Sequence, residues 1–178
     1  MQRIEYNGEI YYYAKGLFVD SSYIEVDKIT KDKLAEEVFS KIDYKKLPKD
    51  KLIAFIKEVK EAEQFILAKN ICLYCLETYK EDVSLIKIVL PILTSCYRLC
   101  GQPEKAISVS KEFTLSSTYE SVQLLTSLSA AYCDIKDYKN AKKYAKIAYA
   151  LQGGGTGAKT ELSLVFRRIE KEAGEKDI

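Results

Sequence analysis

No histidine occurs among the 178 residues. Its absence removes the usual general base and the commonest metal ligand, and with them Ser–His, Cys–His and His–metal chemistry. Long apolar runs are missing too. No stretch reaches the roughly 18 uninterrupted apolar residues that a membrane span needs, and the opening MQRIEYNGEI lacks the apolar centre of a secretory signal. Neither sign of charge is in excess: 28 Lys and Arg against 26 Asp and Glu leave a formal net charge of +2. That balance gives no global electrostatic reason to seek nucleic acid or an anionic membrane. The five cysteines are an odd number in a chain without a secretory signal, which favours reduced thiols and a cytoplasmic setting. What is present, 47% hydrophobic and 30% charged residues, is ordinary globular composition. The length suits one large domain, or a small one joined to a repeat array.

Residues 3 to 26, RIEYNGEIYYYAKGLFVDSSYIEV, read as strands. Tyr and Ile are dense, and Asn7-Gly8 is the dipeptide a type I′ hairpin turn prefers, because both positions need positive φ. Lys15-Gly16 offers a second turn, and Asp20-Ser21-Ser22 a loop before Tyr23–Val26. The expectation is a small antiparallel β-meander of three or four strands that leans on the helices after it. Tyr11-Tyr12-Tyr13 suggests base stacking, but alternate strand residues point to opposite faces, so packing is the better reading.

Helical spacing begins at Thr30–Asp43, with Thr30 or Asp32 as cap, and resumes after Pro48 with Leu52, Phe55, Ile56 and Val59, then Phe65, Ile66, Ala68, Cys72, Cys75 and Leu76. Between those two groups, 60–64 contains neither Gly nor Pro, so 48–79 is either one continuing helix of about thirty residues or two helices joined there; repeat arithmetic favours the turn. Pro91 inside 83–100 predicts a kink or a late helix start. Gly101 followed by Pro103 is a helix–turn–helix break.

The most informative stretch is Leu125–Gly153. Leu125, Leu128 and Tyr132 recur on one helix; Tyr138, Ala141, Tyr144, Ala145 and Ala148 recur on the next, with Asp137 as N-cap between them. Ala141, Ala145 and Ala148 form a side-chain-poor stripe that lets a neighbouring helix approach closely. Leu128, Tyr132 and Ala141 match Leu93, Tyr97 and Ala106 at an offset of 35, and a looser copy, Phe55, Val59 and Ala68, precedes by 38. This pattern resembles the tetratricopeptide repeat (TPR), whose unit is about 34 residues.

The resemblance, over about 49–174, implies a mostly α fold: a TPR-like α-solenoid of three helix–turn–helix units (49–82, 87–120 and 122–155). A C-terminal capping helix with Leu162, Val165, Phe166 and Ile169 on one face follows, its polar side toward water. The small N-terminal antiparallel β-meander and its helix form a separate domain, 1–47, ahead of a repeat domain, 48–178. Thr94 and Ser129 stand where the family usually has Gly, and Phe113 where it has a small residue.

Two other motifs read as structure. Gly153–Thr160 nearly spells a phosphate loop, but Ala158 stands where Gly is required and a helix, not a strand, precedes it, so it reads as a helix-ending linker. Cys72-x-x-Cys75 with Cys96-x-x-x-Cys100 supplies four thiols, yet each pair sits within a helix, where buried Cys behaves as a small hydrophobe. No metal and no cofactor is expected. The paired carboxylates Glu36-Glu37 and Glu61/Glu63 read as surface charges in Lys-rich helices.

By resemblance the chain is expected to be no enzyme but a protein–protein interaction adaptor or scaffold, receiving a peptide or partner protein in a concave groove lined by each unit's first helix. The groove residues so implied are Ile53, Lys57 and Lys60, then Ile88, Ser95 and Arg98, then Gln123, Thr126, Ala130 and Asp134. Lys57, Lys60 and Arg98 make one part basic, which suits an acidic or carboxylate-bearing ligand. The asparagines Asn7, Asn70 and Asn140 all lie off the first helices, which disfavours the subclass that grips a C-terminal carboxylate with asparagine. The alternative is a nucleic-acid-associated regulatory protein using the Tyr-rich sheet and the stripe Lys139, Lys142, Lys143, Lys146. Interspersed acids and the small net charge weigh against it.

Overall fold

The first hairpin turns as Asn7-Gly8 requires, with φ of 51° at Asn7 and 82° at Gly8. The structure, a computed structural model, describes residues 1–114, 117–154 and 160–173. The near-phosphate-loop residues 155–159 and residues 115–116 of the Ser/Thr-rich link lie outside the described residues. Strands β1 (Gln2–Tyr6), β2 (Glu9–Ala14) and β3 (Leu17–Val19) make one antiparallel sheet in sequence order, with Arg3 opposite Tyr12 and Tyr13 opposite Phe18. The fourth strand is reduced to a single bridge, Val19 to Glu25. Alternation sorts the tyrosines: Tyr13 packs inward beside Phe18 with ring centroids 4.5 Å apart, while Tyr12 stacks on Tyr23.

The chain divides into two units, Met1–Ile71 and Cys72–Ile178. The expected boundary at 47 is displaced, and an aromatic chain explains why. Tyr13 meets Phe39 edge-on at 5.9 Å, and Phe39 meets Phe55 at 5.8 Å, joining β2 to helices α1 (Lys28–Phe39) and α2 (Lys49–Glu61) in one core. Helix α1 begins before the predicted Thr30. Asp27 caps it, accepting the N–H groups of Ile29 and Thr30 at 2.9 and 3.1 Å and the Thr30 hydroxyl at 2.7 Å. Lys31 bonds Glu63 at 3.1 Å and the Gln64 amide reaches Asp32 at 3.3 Å, tying α1 to the turn after α2.

That turn separates α2 from α3 (Phe65–Thr78), so 48–79 is two helices. It shares its geometry with two later ones, between α4 (Val83–Leu99) and α5 (Pro103–Thr114) and between α6 (Val122–Asp134) and α7 (Tyr138–Leu151). In each, one residue takes the left-handed conformation: Glu63, Gly101 and Lys136, at φ 62°, 71° and 61°. In each, that residue's N–H and the next one bond back to the helix end, as Gly101 to Arg98 and Gln102 to Tyr97 at 2.9 Å, and Lys136 to Cys133 at 3.0 Å and Asp137 to Tyr132 at 2.9 Å. The three positions keep the 38- and 35-residue offsets of the sequence repeat. Only the middle turn uses glycine. Lys136→Gly is therefore expected to raise stability by about 1 kcal/mol, and Gly101→Ala to lower it by about as much, read from urea unfolding midpoints.

Pro91 lies inside α4, which starts at Val83 and runs through the proline rather than beginning after it. In the second unit α6 is the central element: every residue from Leu124 to Cys133 is buried. A helix enclosed on all sides needs small residues where neighbours come close, and Thr126, Ser127, Ser129, Ala130 and Ala131 supply them. Leu125, Leu128 and Tyr132 form a core with Ala141, Ala145 and Ala148 of α7 and with Leu162 and Ile169 of α8 (Glu161–Ala173). A second cluster joins Ile86, Leu90 and Leu124, with Phe113 and Tyr119 packed against it edge to face. Asp137 caps α7 as its position implied, accepting the Asn140 N–H at 3.1 Å.

A candidate binding trough in the second unit

Helices α4, α6 and α8 line an open cavity of about 240 Å³. Ser95 and Arg98 line it from α4, Thr126, Ser127 and Ala130 from α6, and Leu164 and Arg168 from α8. Four residues expected in the groove therefore come together here: Ser95, Arg98, Thr126 and Ala130. A fifth, Asp134, is joined to them through Arg98, whose Nε donates to Asp134 Oδ2 at 2.7 Å. Ile88 and Gln123 lie on the same helices, exposed and outside the cavity wall. Ile53, Lys57 and Lys60 belong to α2 in the first unit; Lys57 is exposed and the other two half-buried.

The floor is polar but small. Thr126 donates its hydroxyl to the Val122 carbonyl at 2.7 Å, which satisfies it within its own helix. The Ser95 and Ser127 hydroxyls hydrogen-bond to no other side chain or backbone group among the described residues, and neither oxygen is shut off from solvent. Along one edge runs a charge chain. Asp134 accepts from Arg98 and from Nη1 of Arg168, Arg168 Nε donates to Glu172 at 2.9 Å, and the Tyr138 hydroxyl donates to Glu172 at 3.1 Å. Burial lowers the Arg168 pKa, but its bonds to Asp134 and Glu172 outweigh that and hold it above its ordinary value. The same bond from Arg168 holds the Glu172 carboxyl below the usual range.

Arg98 thus spends its charge on Asp134. Around the cavity two guanidiniums, Arg98 and Arg168, face three carboxylates, Asp134, Glu161 and Glu172, so the basic character expected of Arg98 is offset. Helix α8 also departs from expectation. Its polar side does not simply face water: Arg168 turns onto Asp134, and Leu164, 55% exposed, stands at the cavity wall. A sequence signal for this exists. Arg98, Asp134 and Arg168 are spaced about one repeat apart, as are Tyr138 and Glu172.

One solved structure, the TPR domain of Sgt2 from Aspergillus fumigatus, is similar to this chain with a TM-score of 0.57 and 23% identity, over 73% of this chain and 84% of that one. The fold is a TPR-like helical repeat. No protein-family model and no curated protein matches the chain. In the TPR-like array, hydroxyls occupy the two positions where the repeat family usually has glycine. Thr94 bonds the Leu90 carbonyl at 2.9 Å and meets Ser110 of α5 at 2.8 Å, while Ser129 donates across to the Ala141 carbonyl of α7 at 2.6 Å. Each hydroxyl is fully buried and satisfied, so close helix contact survives the loss of glycine. Phe113 fits because it points to the Ile86–Leu90–Leu124 cluster.

All five cysteines are thiols, and burial pushes those of Cys75 and Cys133 up to about 11. Among the described residues no group of three His, Cys, Asp or Glu is arranged to hold a metal ion, and no helix is long and apolar enough to cross a membrane.

Proposed function

We propose that the chain is a non-enzymatic protein–protein interaction module that receives a peptide or surface element of a partner protein in the trough of α4, α6 and α8. The observation that carries this reading is the convergence of Ser95, Arg98, Thr126 and Ala130 from α4 and α6 with the exposed Leu164 of α8 at one cavity. The likeness to a TPR domain supports the same reading at the level of fold. With no histidine and with Cys75 and Cys133 held as unreactive thiols, the residues present offer little to nucleophilic catalysis.

The charge chain shapes what the trough prefers. An acidic ligand, the expectation from a free Arg98, would have to compete with Asp134 for the same guanidinium. A neutral segment with a small apolar side chain and free backbone groups suits the cavity better. Ile53, Lys57 and Lys60 on α2 are proposed as ligand contacts of the first unit by itself. The setting proposed is the cytoplasm, in keeping with five unpaired thiols. The nucleic-acid alternative draws less support, because Tyr13 is turned inward and Tyr12 is covered by Tyr23.

Affinity capture on immobilised protein tests the proposal. Partners retained by the wild type should be lost from Arg98→Glu and from Leu164→Asp, the second an exposed position whose change leaves the core alone. Partners kept by both variants would place binding elsewhere.

A further inference from the structure

We propose that the chain associates with itself, the outer edge of α7 on one copy seating in a groove of the first unit on another. The groove, about 580 Å³, lies wholly within the first unit, between α1, the 3-10 turn Tyr44–Lys46 and the start of α3. Its apolar lining includes Phe39, Ile42, Ile66 and Leu67, and Ile66 is left 66% exposed and Ile42 36%. Helix α1 ends at Phe39, short of the predicted Asp43, which leaves Ile42 at this rim instead of on a buried helix face.

One wall of the groove carries two acids, Asp32 and Glu36, with the exposed Lys33 between them in sequence. Asp32 and Glu36 sit one turn apart on α1, both exposed, where like charges repel each other. Asp32 accepts from the neutral Gln64 amide, and no cation among the described residues pairs with Glu36.

Helix α7 offers the complement. Its 14 residues carry four lysines and no acid. Its inner face is taken up by Ala141, Ala145 and Ala148, while Lys139, Lys143, Ile147 and Leu151 form an exposed line at one-turn steps. Laid parallel to α1, Lys139 falls beside Asp32 and Lys143 beside Glu36, since both pairs are four residues apart and about 6 Å along the axis. In that register Ile147 and Leu151 run past Glu36 toward the exposed Ile42, while Ile66, two residues after Gln64, stands at the Asp32 end. The matched spacing of both halves on one chain is why the occupant is a second copy. Each copy uses two different patches, so the contact is heterologous.

Sedimentation equilibrium of the full chain at low salt tests this. The weight-average mass should rise above that of one chain with concentration and fall back at high salt. Glu36→Lys and Lys143→Glu should each weaken association about tenfold or more, and an equimolar mixture of the two variants should regain it, because each supplies the charge the other lacks. Circular dichroism checks that both fold, with Asp32→Lys in reserve for Glu36→Lys. A wild type that stays a single chain at low salt and high concentration overturns the proposal. So do variants that associate like the wild type, or a mixture that does not regain association. None of these outcomes bears on the trough of α4, α6 and α8.

Discussion

Gly16→Ala is expected to destabilise the first unit by about 3 kcal/mol, whereas Gly8→Ala should cost only about 1 kcal/mol. The two glycines have nearly the same backbone, φ 81° and 82°, so the strain of putting a Cβ on a left-handed residue is common to both. They differ in what the Cβ would meet. At Gly8 nothing lies within 4 Å; at Gly16 the Cβ would fall 2.6 Å from the Glu61 carbonyl carbon and oxygen. Backbone at the end of α2 cannot step aside as a flexible side chain can, so the β2–β3 turn must lift from the helix. Urea unfolding followed by circular dichroism gives the two losses, and amide exchange places them in the chain. Equal losses at both glycines would mean that the turn does not rest on α2, and the argument for a unit reaching Ile71 would weaken with it.

Ala145→Leu should cost about 3 kcal/mol, while Ala150→Leu on the same helix should change stability by less than about 0.5 kcal/mol. Ala145 is fully buried in the core that Leu128 and Tyr132 fill from α6; Ala150 is exposed. Tyr132 leaves little slack, since its ring already stacks on Tyr144 with centroids 5.4 Å apart. A leucine at 145 would either push α7 off α6 or drive Tyr132 from its rotamer. Equal tolerance at the two positions would show that the alanine stripe is not where the helices touch.

Where local chemistry decides structure, the sequence was readable. Asn7-Gly8 turns a hairpin, Gly101 and Pro103 break α4 from α5, Asp137 caps α7, and the repeat offsets predicted a turn at 60–64 that carries neither Gly nor Pro. Glu63 takes the left-handed conformation there without glycine's advantage, held by the N–H groups of Glu63 and Gln64 bonding back to Lys60 and Val59. The misreadings arose where a distant partner decides. Phe39 joins the sheet to α2 through ring contacts that no periodicity encodes, and this moved the unit boundary. Arg98 read as a free cation because its counter-charge lies 36 residues away on α6. The polar side of the capping helix read as solvated for a similar reason, since Arg168 lies 34 residues from Asp134. Asp27 was passed over as a cap because Thr30 and Asp32 were equally plausible by type, and only geometry shows Asp27 reaching two N–H groups and a hydroxyl.

The most direct test of the trough is selection of a displayed random-peptide library on the full wild-type chain, with each selected peptide then titrated against Leu164→Asp and, as a control on the far side of α7, Lys139→Glu. Peptides that enter between α4, α6 and α8 should bind Leu164→Asp at least about tenfold more weakly, since losing one well-buried apolar contact and adding an unpaired charge is worth more than 1.4 kcal/mol, and should bind Lys139→Glu unchanged. Peptides that bind all three proteins equally would contradict the account.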